Sequence, residues 1–187
     1  MGDKDIWVFG YGSLMWKTGF DYRERRIARL DGYCRAFRLW SVRYRGTVEE
    51  PGLVVGLDWR PGQSCTGVAF RVAAEDACGV RDYLSERELV TLSYFEICTP
   101  VTLMCDGRGQ GETVDAICYV LDRSHDQYAR GITLESQAER IRNAVGPMGP
   151  NLEYFENTVA HLDAMGIVDP DLSALARIVR SGIHRRR

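Results

Sequence analysis

The loop Gly10-Tyr11-Gly12-Ser13, which follows an apolar run over residues 6–9, is the part of this sequence best suited to bind an anion. The run is aromatic and apolar, and it predicts a buried strand. The two glycines let the backbone turn sharply and leave its N–H groups uncovered. Successive N–H groups at a strand end can bind a carboxylate or a phosphate. The alternative is an ordinary strand-to-turn junction, which better explains a Gly-x-Gly that stands alone.

Two familiar motifs do not fit this loop. A dinucleotide-binding fingerprint requires a third glycine at the position of Met15. A nucleophile elbow requires glycine two positions before and two positions after the serine, where this chain has Tyr11 and Met15. We therefore predict that Ser13 is a turn residue and not a nucleophile.

A second group that could do chemistry is Glu86-Arg87-Glu88, at the end of a helix predicted over residues 74–85. Side chains two positions apart on a helix point in different directions, so one carboxylate can be solvated while the other faces a cleft. The spacing does not decide which of the two carboxylates faces the cleft. Partial burial raises the pKa of a carboxyl group and suits it to proton transfer. The spacing alone favours the alternative, a solvated and charged helix end.

A third group spans residues 143–154 and contains two Gly-Pro steps, Gly146-Pro147 and Gly149-Pro150. Each step favours a sharp and rigid connection, here between two helices. Tyr154 would lie in the first turn of the second helix. The connection could direct the Tyr154 hydroxyl into a pocket, or Tyr154 could be a core residue, and the sequence leaves both possibilities open.

Composition limits the class of protein. With 187 residues, 45% apolar content and a net charge of −2, the chain is expected to form a single α+β domain over residues 1–187. The charge balance argues against a nucleic-acid partner, and no segment approaches the roughly 20 apolar residues that span a bilayer. The first residues lack the apolar region of a signal peptide, so a cytoplasmic location is expected. The basic residues 183–187 are expected to form a flexible tail.

The cysteines and histidines do not indicate a metal site. The six cysteines form no Cys-x-x-Cys pair, and we expect them to be buried, reduced thiols. The three histidines are scattered without the spacing of metal ligands. We therefore predict no metal.

The remaining pattern predicts the order of the elements. The segments expected before the C-terminal third are a loop at 21–30, strands at 32–40, 53–59 and 65–72 with a turn at 60–62, and strands at 93–105 and 113–121 joined by a glycine-rich turn. Three helices should follow, the first two capped by Thr133 and Asn151, and the third opened by Asp169-Pro170. Leu134 and Val145 are expected on the inward face of the first of these helices.

These motifs together resemble the ChaC-type γ-glutamylcyclotransferases, the family that includes glutathione-specific enzymes. The matching segments, in the family's order, are Tyr11-Gly12-Ser13-Leu14-Met15-Trp16-Lys17, Tyr44-Arg45-Gly46, Pro51 to Leu57, Gly67 to Arg71, Tyr83 to Glu88 and Ala144 to Tyr154. They hold their spacing from about residue 7 to residue 166.

The resemblance implies a small mixed β-barrel with packed helices, and a lyase reaction that needs no cofactor. In that reaction the α-amino group of a γ-glutamyl substrate attacks its own γ-carbonyl, and glutathione yields 5-oxoproline and Cys-Gly. The family's catalytic glutamate matches Glu88, and its substrate-binding loop matches Tyr11, Gly12, Ser13 and Leu14. Its site tyrosine matches Tyr154. The chemistry suits these residues, because one carboxylate can act as base and then as acid while backbone N–H groups stabilise the oxyanion.

The sequence departs from the family directly after Glu88. Family members usually continue with Lys-Gly-Gly-Tyr, whereas this chain has Leu89-Val90-Thr91-Leu92-Ser93-Tyr94. This change predicts an altered preference for the leaving group, whose carboxylate could be met by Arg43, Arg45 or Arg87. The alternatives to glutathione cleavage are ring closure on another γ-glutamyl amide, and a non-catalytic binding protein with the same fold.

Overall fold

The computed structural model describes residues 4–88, 93–104 and 110–184, and the chain divides into two compact units. The first unit comprises Met1–Cys34 and Leu57–Asp122, and the second comprises Arg35–Gly56 and Arg123–Arg187. Cys105, most of the glycine-rich turn, the family departure at 89–92 and the end of the basic tail lie outside the described residues. The single domain stays a prediction.

In the described chain, three of the four α-helices follow the last strand of the barrel. The strands are β1 Ile6–Gly10, β2 Glu24–Ser41, β3 Gly52–Val72, β4 Tyr94–Met104, β5 Gln110–Leu121, β6 Val145–Gly146 and β7 Gly149–Pro150. The α-helices are α1 Ala77–Glu88, α2 Leu134–Asn143, α3 Asn151–Ala164 and α4 Pro170–His184. A single 3₁₀ turn, Ser13–Met15, follows β1.

The first unit contains a closed, mixed barrel with strand order β1-β3-β2-β4-β5. Strand β1 pairs antiparallel with β3, from Ile6↔Val72 to Gly10↔Val68, and parallel with β5 at Trp7↔Ala116. Strands β4 and β5 form the predicted antiparallel hairpin over most of their length. This arrangement, with its packed helices, confirms the predicted fold class.

Alternate residues of β1 and β5 pack on opposite faces of the barrel wall, as the period of two in a strand requires. Phe9 faces one apolar cluster, which also contains Leu30, Leu57 and Leu103. Val8 faces a second cluster in which Leu84 of α1 packs against the wall. Both faces are therefore buried, and helix α1 covers the outer one.

The loop predicted over residues 21–30 is wrong, because β2 already begins at Glu24. Ala28 and Leu30 are fully buried and lie on the same face, which is the alternation of a strand. The high charge of the segment hides this alternation in the sequence. Two of its arginines are paired along the same strand, Arg26 with Glu24 and Arg29 with Asp31, so this charge is compatible with a strand.

Two smaller expectations also need correction. The predicted strands at 53–59 and 65–72 form one continuous strand, β3, in which Gly62 has a positive φ of 82° and the turn residues are exposed. Cys78 and Cys98 are exposed thiols, whereas Cys34, Cys65 and Cys118 are buried and free as expected.

Helices α2, α3 and α4 belong to the second unit. Thr133 caps α2 as predicted, since its side chain accepts a hydrogen bond from the backbone N–H of Ser136. Leu134 and Val145, expected on the inward face of α2, are exposed, and Val145 lies in strand β6. Helix α4 begins at Pro170 as predicted.

The predicted cap at Asn151 is wrong. Pro150 holds the cap position, and Asn151 is the first residue of α3. The buried Asn151 side chain instead accepts a hydrogen bond from the N–H of Leu53 and donates one to the Leu53 carbonyl, both at 2.7 Å. Asn151 therefore anchors the start of α3 to a distant segment of the chain.

Candidate active site

The loop after β1 is held by its own side chains. Tyr11 is buried in the barrel cluster, and Leu14 is buried in the cluster that packs against α1. The N–H of Met15 donates to the carbonyl of Gly12, which closes the 3₁₀ turn. Because Tyr11 and Leu14 face different clusters, both sides of the loop are fixed, and binding through its backbone stays a prediction.

Gly12 has φ −127° and ψ −134°. This φ lies outside the left-handed region that favours glycine. The sign of φ therefore gives no reason for glycine at this position.

Glu88 is the last residue of α1, because the helix ends at residue 88 and not at residue 85 as the sequence predicted. Its side chain is 19% exposed, whereas Glu86 lies on the exposed side of the helix. Burial raises the pKa of the Glu88 carboxyl group above its usual value, and the adjacent Arg87 partly opposes this rise. The two carboxylates thus point in different directions, as expected, and Glu88 has the environment suited to proton transfer.

Arg87 connects Glu88 to the loop. Its Nε lies 3.1 Å from Glu88 Oε1, and its Nη2 donates to Ser13 Oγ at 2.9 Å. The structure therefore brings the predicted loop and the predicted acid–base residue together through a single guanidinium group. The Ser13 hydroxyl accepts a hydrogen bond there, which agrees with a turn residue more than with a nucleophile.

Tyr119 is an ionisable residue in this unit that the sequence reasoning missed. Its buried hydroxyl donates to Glu96 Oε2 at 2.8 Å, and Glu96 Oε1 accepts from Arg81 at 2.6 Å. Burial is the main cause of a raised Tyr119 pKa, and the negative charges of Glu96 and Glu88 raise it further. A tyrosine within the apolar run of β5 was the only available signal, and it is equally typical of a core residue.

Arg45 and Tyr154 lie together in the second unit. The guanidinium carbon of Arg45 is 5.6 Å from the centre of the Tyr154 ring, a cation–π arrangement. Arg45 Nη1 also donates to the Pro150 carbonyl at 3.2 Å and lies 3.4 Å from Glu153 Oε1. Tyr154 lies in the first turn of α3, as predicted, and its ring meets Phe37 edge-on at 5.9 Å.

Two glycines, Gly46 and Gly146, allow the backbone around Arg45 to pack closely. Both lie in segments that match the family's motifs. A Cβ atom at Gly46 would overlap the backbone of Gly52 and Ser41, and one at Gly146 would overlap the backbone of Gly46. Only glycine allows these segments to approach so closely. The backbone around Arg45 is therefore tightly packed against the connection that leads into α3.

Within residues 4–88, 93–104 and 110–184, the structure contains no group of three His, Cys, Asp or Glu side chains suited to hold a metal ion. In the same residues no helix is both long enough and apolar enough to cross a membrane.

A family model described as "ChaC-like protein" matches residues 6–182. The chain belongs to this family. Among curated relatives, the glutathione-specific gamma-glutamylcyclotransferase of Escherichia coli is 33% identical over 170 residues, which cover 91% of this chain and 71% of the relative. The enzyme of the same name from Schizosaccharomyces pombe is 39% identical over 163 residues, 80% of this chain and 79% of the relative.

A solved structure of the glutathione-specific γ-glutamyl cyclotransferase from yeast is similar to this chain throughout. It superimposes with a TM-score of 0.85 at 25% sequence identity, and the match covers 96% of this chain and 97% of the yeast chain. The barrel with packed helices is thus a fold that this chain shares with the yeast enzyme.

Proposed function

We propose that this chain is a γ-glutamylcyclotransferase that cleaves glutathione into 5-oxoproline and Cys-Gly. The observation that carries the proposal is the connection of the partly buried Glu88 carboxylate, through Arg87, to the loop after β1. A base of raised pKa next to a loop of backbone N–H groups supplies the two functions that ring closure needs. The chain's membership of the family and its similarity to the relatives above support the same activity.

In the proposed reaction, the Glu88 carboxylate accepts a proton from the substrate's α-ammonium group. The freed amine attacks the γ-carbonyl carbon, and the oxyanion that forms is stabilised by N–H groups of the loop. The ring is closed by this attack. Protonated Glu88 then donates to the amide nitrogen, and the old C–N bond breaks as the γ-carbonyl re-forms. Glu88 takes the second proton from the ring nitrogen and passes it to the released amine, which leaves as an ammonium, so Glu88 returns to its ionised form.

The substrate therefore contains both the nucleophile and the leaving group. Within the proposal, Tyr11, Gly12, Ser13 and Leu14 contact the glutamyl portion through their backbone. Tyr154 stays a prediction from the family resemblance and is tested by substitution, and Arg45 stays one of the candidates for the partner of the leaving-group carboxylate. No cofactor is required by this chemistry. We place the enzyme in the cytoplasm, which its free cysteines support, because reduced thiols persist in that compartment.

The test is incubation with glutathione, with 5-oxoproline and Cys-Gly quantified over time. Equimolar appearance of both products, lost in Glu88→Gln, is the expected result. A panel of γ-glutamyl amides with apolar leaving groups tests the second candidate, which the sequence departure at residues 89–92 favours. Turnover of a panel member but not of glutathione would redirect the substrate assignment, and tight binding without any turnover would indicate a binding protein.

A further inference from the structure

Arg87 makes more polar contacts than an ordinary surface arginine. Its Nη1 donates to the carbonyl oxygens of Lys17 and Thr18, at 2.9 and 3.2 Å, and to the Tyr83 hydroxyl at 3.0 Å. Its Nη2 donates to the Ser13 hydroxyl at 2.9 Å, and its Nε pairs with Glu88 at 3.1 Å. One guanidinium group therefore binds both ends of the segment 13–18 and the carboxylate at the end of α1.

The surroundings keep this group in place. The Arg87 side chain is only 21% exposed, so its contacts are shielded from competing water. The Tyr83 hydroxyl, which accepts from Arg87, lies against Gly19, where a Cβ atom would overlap it. Gly19 also has a positive φ of 76°, a conformation that glycine adopts without strain. The chain from Ser13 to Gly19 is thus hydrogen-bonded to the last turns of α1 at three positions and lies close to it at Gly19.

We propose that Arg87 is a positioning residue of the reaction, which holds the substrate-binding loop and the Glu88 carboxylate in one fixed arrangement. This inference rests on the proposed function for its kinetic consequences. Arginine suits the task because its planar fork presents five N–H donors at fixed angles, whereas a lysine ammonium is a single point with three donors. It also means that Arg87 is engaged within the protein, which disfavours it as the partner of the leaving-group carboxylate.

Arg87 also affects the protonation of the Glu88 carboxyl group. Its positive charge and its hydrogen bond lower the pKa of Glu88, against the larger upward effect of burial. Among the described residues of this unit, other ionisable groups in this region include the Tyr83 hydroxyl, which accepts from Arg87, the Tyr119 hydroxyl on β5 and, beyond it, the Glu96–Arg81 pair. Without Arg87, the carboxylate would be protonated to a higher pH and would less often be ready to accept the substrate proton.

Three variants separate the two effects. Arg87→Met removes both the charge and the donors, and Arg87→Lys keeps the charge but cannot reach all the acceptors. Arg81→Met is the matched control, because it deletes an arginine–carboxylate pair of 2.6 Å from the same helix. With glutathione, we expect both Arg87 variants to lose about 10²-fold in kcat/KM, since small displacements of a positioned group have effects of that size. We expect the control to stay near wild type.

The pH profile provides the readout that a purely structural role would not change. The acid limb of kcat/KM should move to higher pH in Arg87→Met, and should stay near the wild-type position in Arg87→Lys. An Arg87→Met enzyme with wild-type KM and an unmoved acid limb would overturn the proposal. So would equal losses in Arg87→Met and Arg81→Met, which would indicate general destabilisation. If Arg87→Met does not fold, the KM of Arg87→Lys decides the positioning claim.

A substrate-free measurement distinguishes a failure of this inference from a failure of the proposed function. Hydrogen exchange of the Lys17 amide, which donates to the Ser13 carbonyl, should accelerate in Arg87→Lys and Arg87→Met but not in Arg81→Met. If no γ-glutamyl compound is turned over but this acceleration is seen, the proposed function fails while the positioning role stands. Unchanged exchange in both Arg87 variants would overturn the positioning role whatever the activity.

Discussion

Replacing Glu88 with glutamine separates the proton-transfer role of this side chain from its packing role. Glutamine has nearly the same shape and keeps an oxygen that can accept a hydrogen bond from Arg87, but it cannot accept a proton at neutral pH. We expect Glu88→Gln to lose about 10²–10⁴ in kcat, the usual contribution of a positioned general acid–base group. That loss corresponds to about 2.7–5.4 kcal/mol of transition-state stabilisation.

Glu88→Gln should change the free energy of unfolding much less than it changes the free energy of the transition state, and the change should depend on pH. Because burial raises the pKa of Glu88, the folded protein binds this proton more tightly than the unfolded chain does. The ionisation of Glu88 therefore destabilises the fold as the pH rises from the ordinary value of 4.5 through the raised one. The glutamine of Glu88→Gln does not ionise, so the variant is not destabilised in this way. Its free energy of unfolding relative to wild type should therefore increase as the pH rises from 4.5 through the raised pKa, by about 1.4 kcal/mol for each unit of pKa shift.

The assays are 5-oxoproline release from glutathione and urea unfolding at several pH values, with Glu86→Gln as the control. Glu86 is an exposed carboxylate two residues away, so its variant should keep nearly full activity. The acid limb of the wild-type kcat/KM profile should lie above pH 4.5, the ordinary value of a glutamate. Near-wild-type turnover by Glu88→Gln, or inactivity of Glu86→Gln instead, would refute the assignment. A stability difference that is the same at every pH would refute the raised pKa.

Four further outcomes are expected. Ser13→Ala should lose only part of the activity, because it removes one acceptor of Arg87 while leaving the loop backbone in place; complete loss with intact substrate binding, measured by calorimetry, would indicate a direct role for the hydroxyl. Tyr154→Phe should lower kcat with little change in melting temperature, whereas normal kinetics would make it a core residue. Asp169→Ala should destabilise the protein by about 3–5 kcal/mol in urea unfolding, since it leaves the buried Arg35, 2.6 Å away, without this partner; Asp171→Ala, at an exposed position nearby, should have little effect. Placing Lys-Gly-Gly at residues 89–91 should raise kcat/KM for glutathione relative to γ-glutamyl amides with apolar leaving groups, and no gain would show that the departure is neutral.

Features that depend on neighbouring residues could be predicted from the sequence. Strand β1 and the turn after it follow from an apolar run that ends in two glycines. The cap of α2 follows from Thr133, and the start of α4 follows from Pro170. The different directions of Glu86 and Glu88 follow from helix geometry alone. In each case the partners are within a few positions, so local stereochemistry determines the outcome.

Features that depend on distant partners were decided by the tertiary structure. Asn151 fits a cap by its residue type, but its side chain binds the backbone of Leu53, 98 positions away. Arg87 is one of many arginines in the sequence, and its contact with Ser13 spans 74 positions. The environment of Glu88 exists only when α1 packs against the barrel wall, because desolvation depends on which surfaces meet. Residue types and spacing thus identified the groups able to do chemistry, whereas long-range packing set their protonation, their partners and their positions.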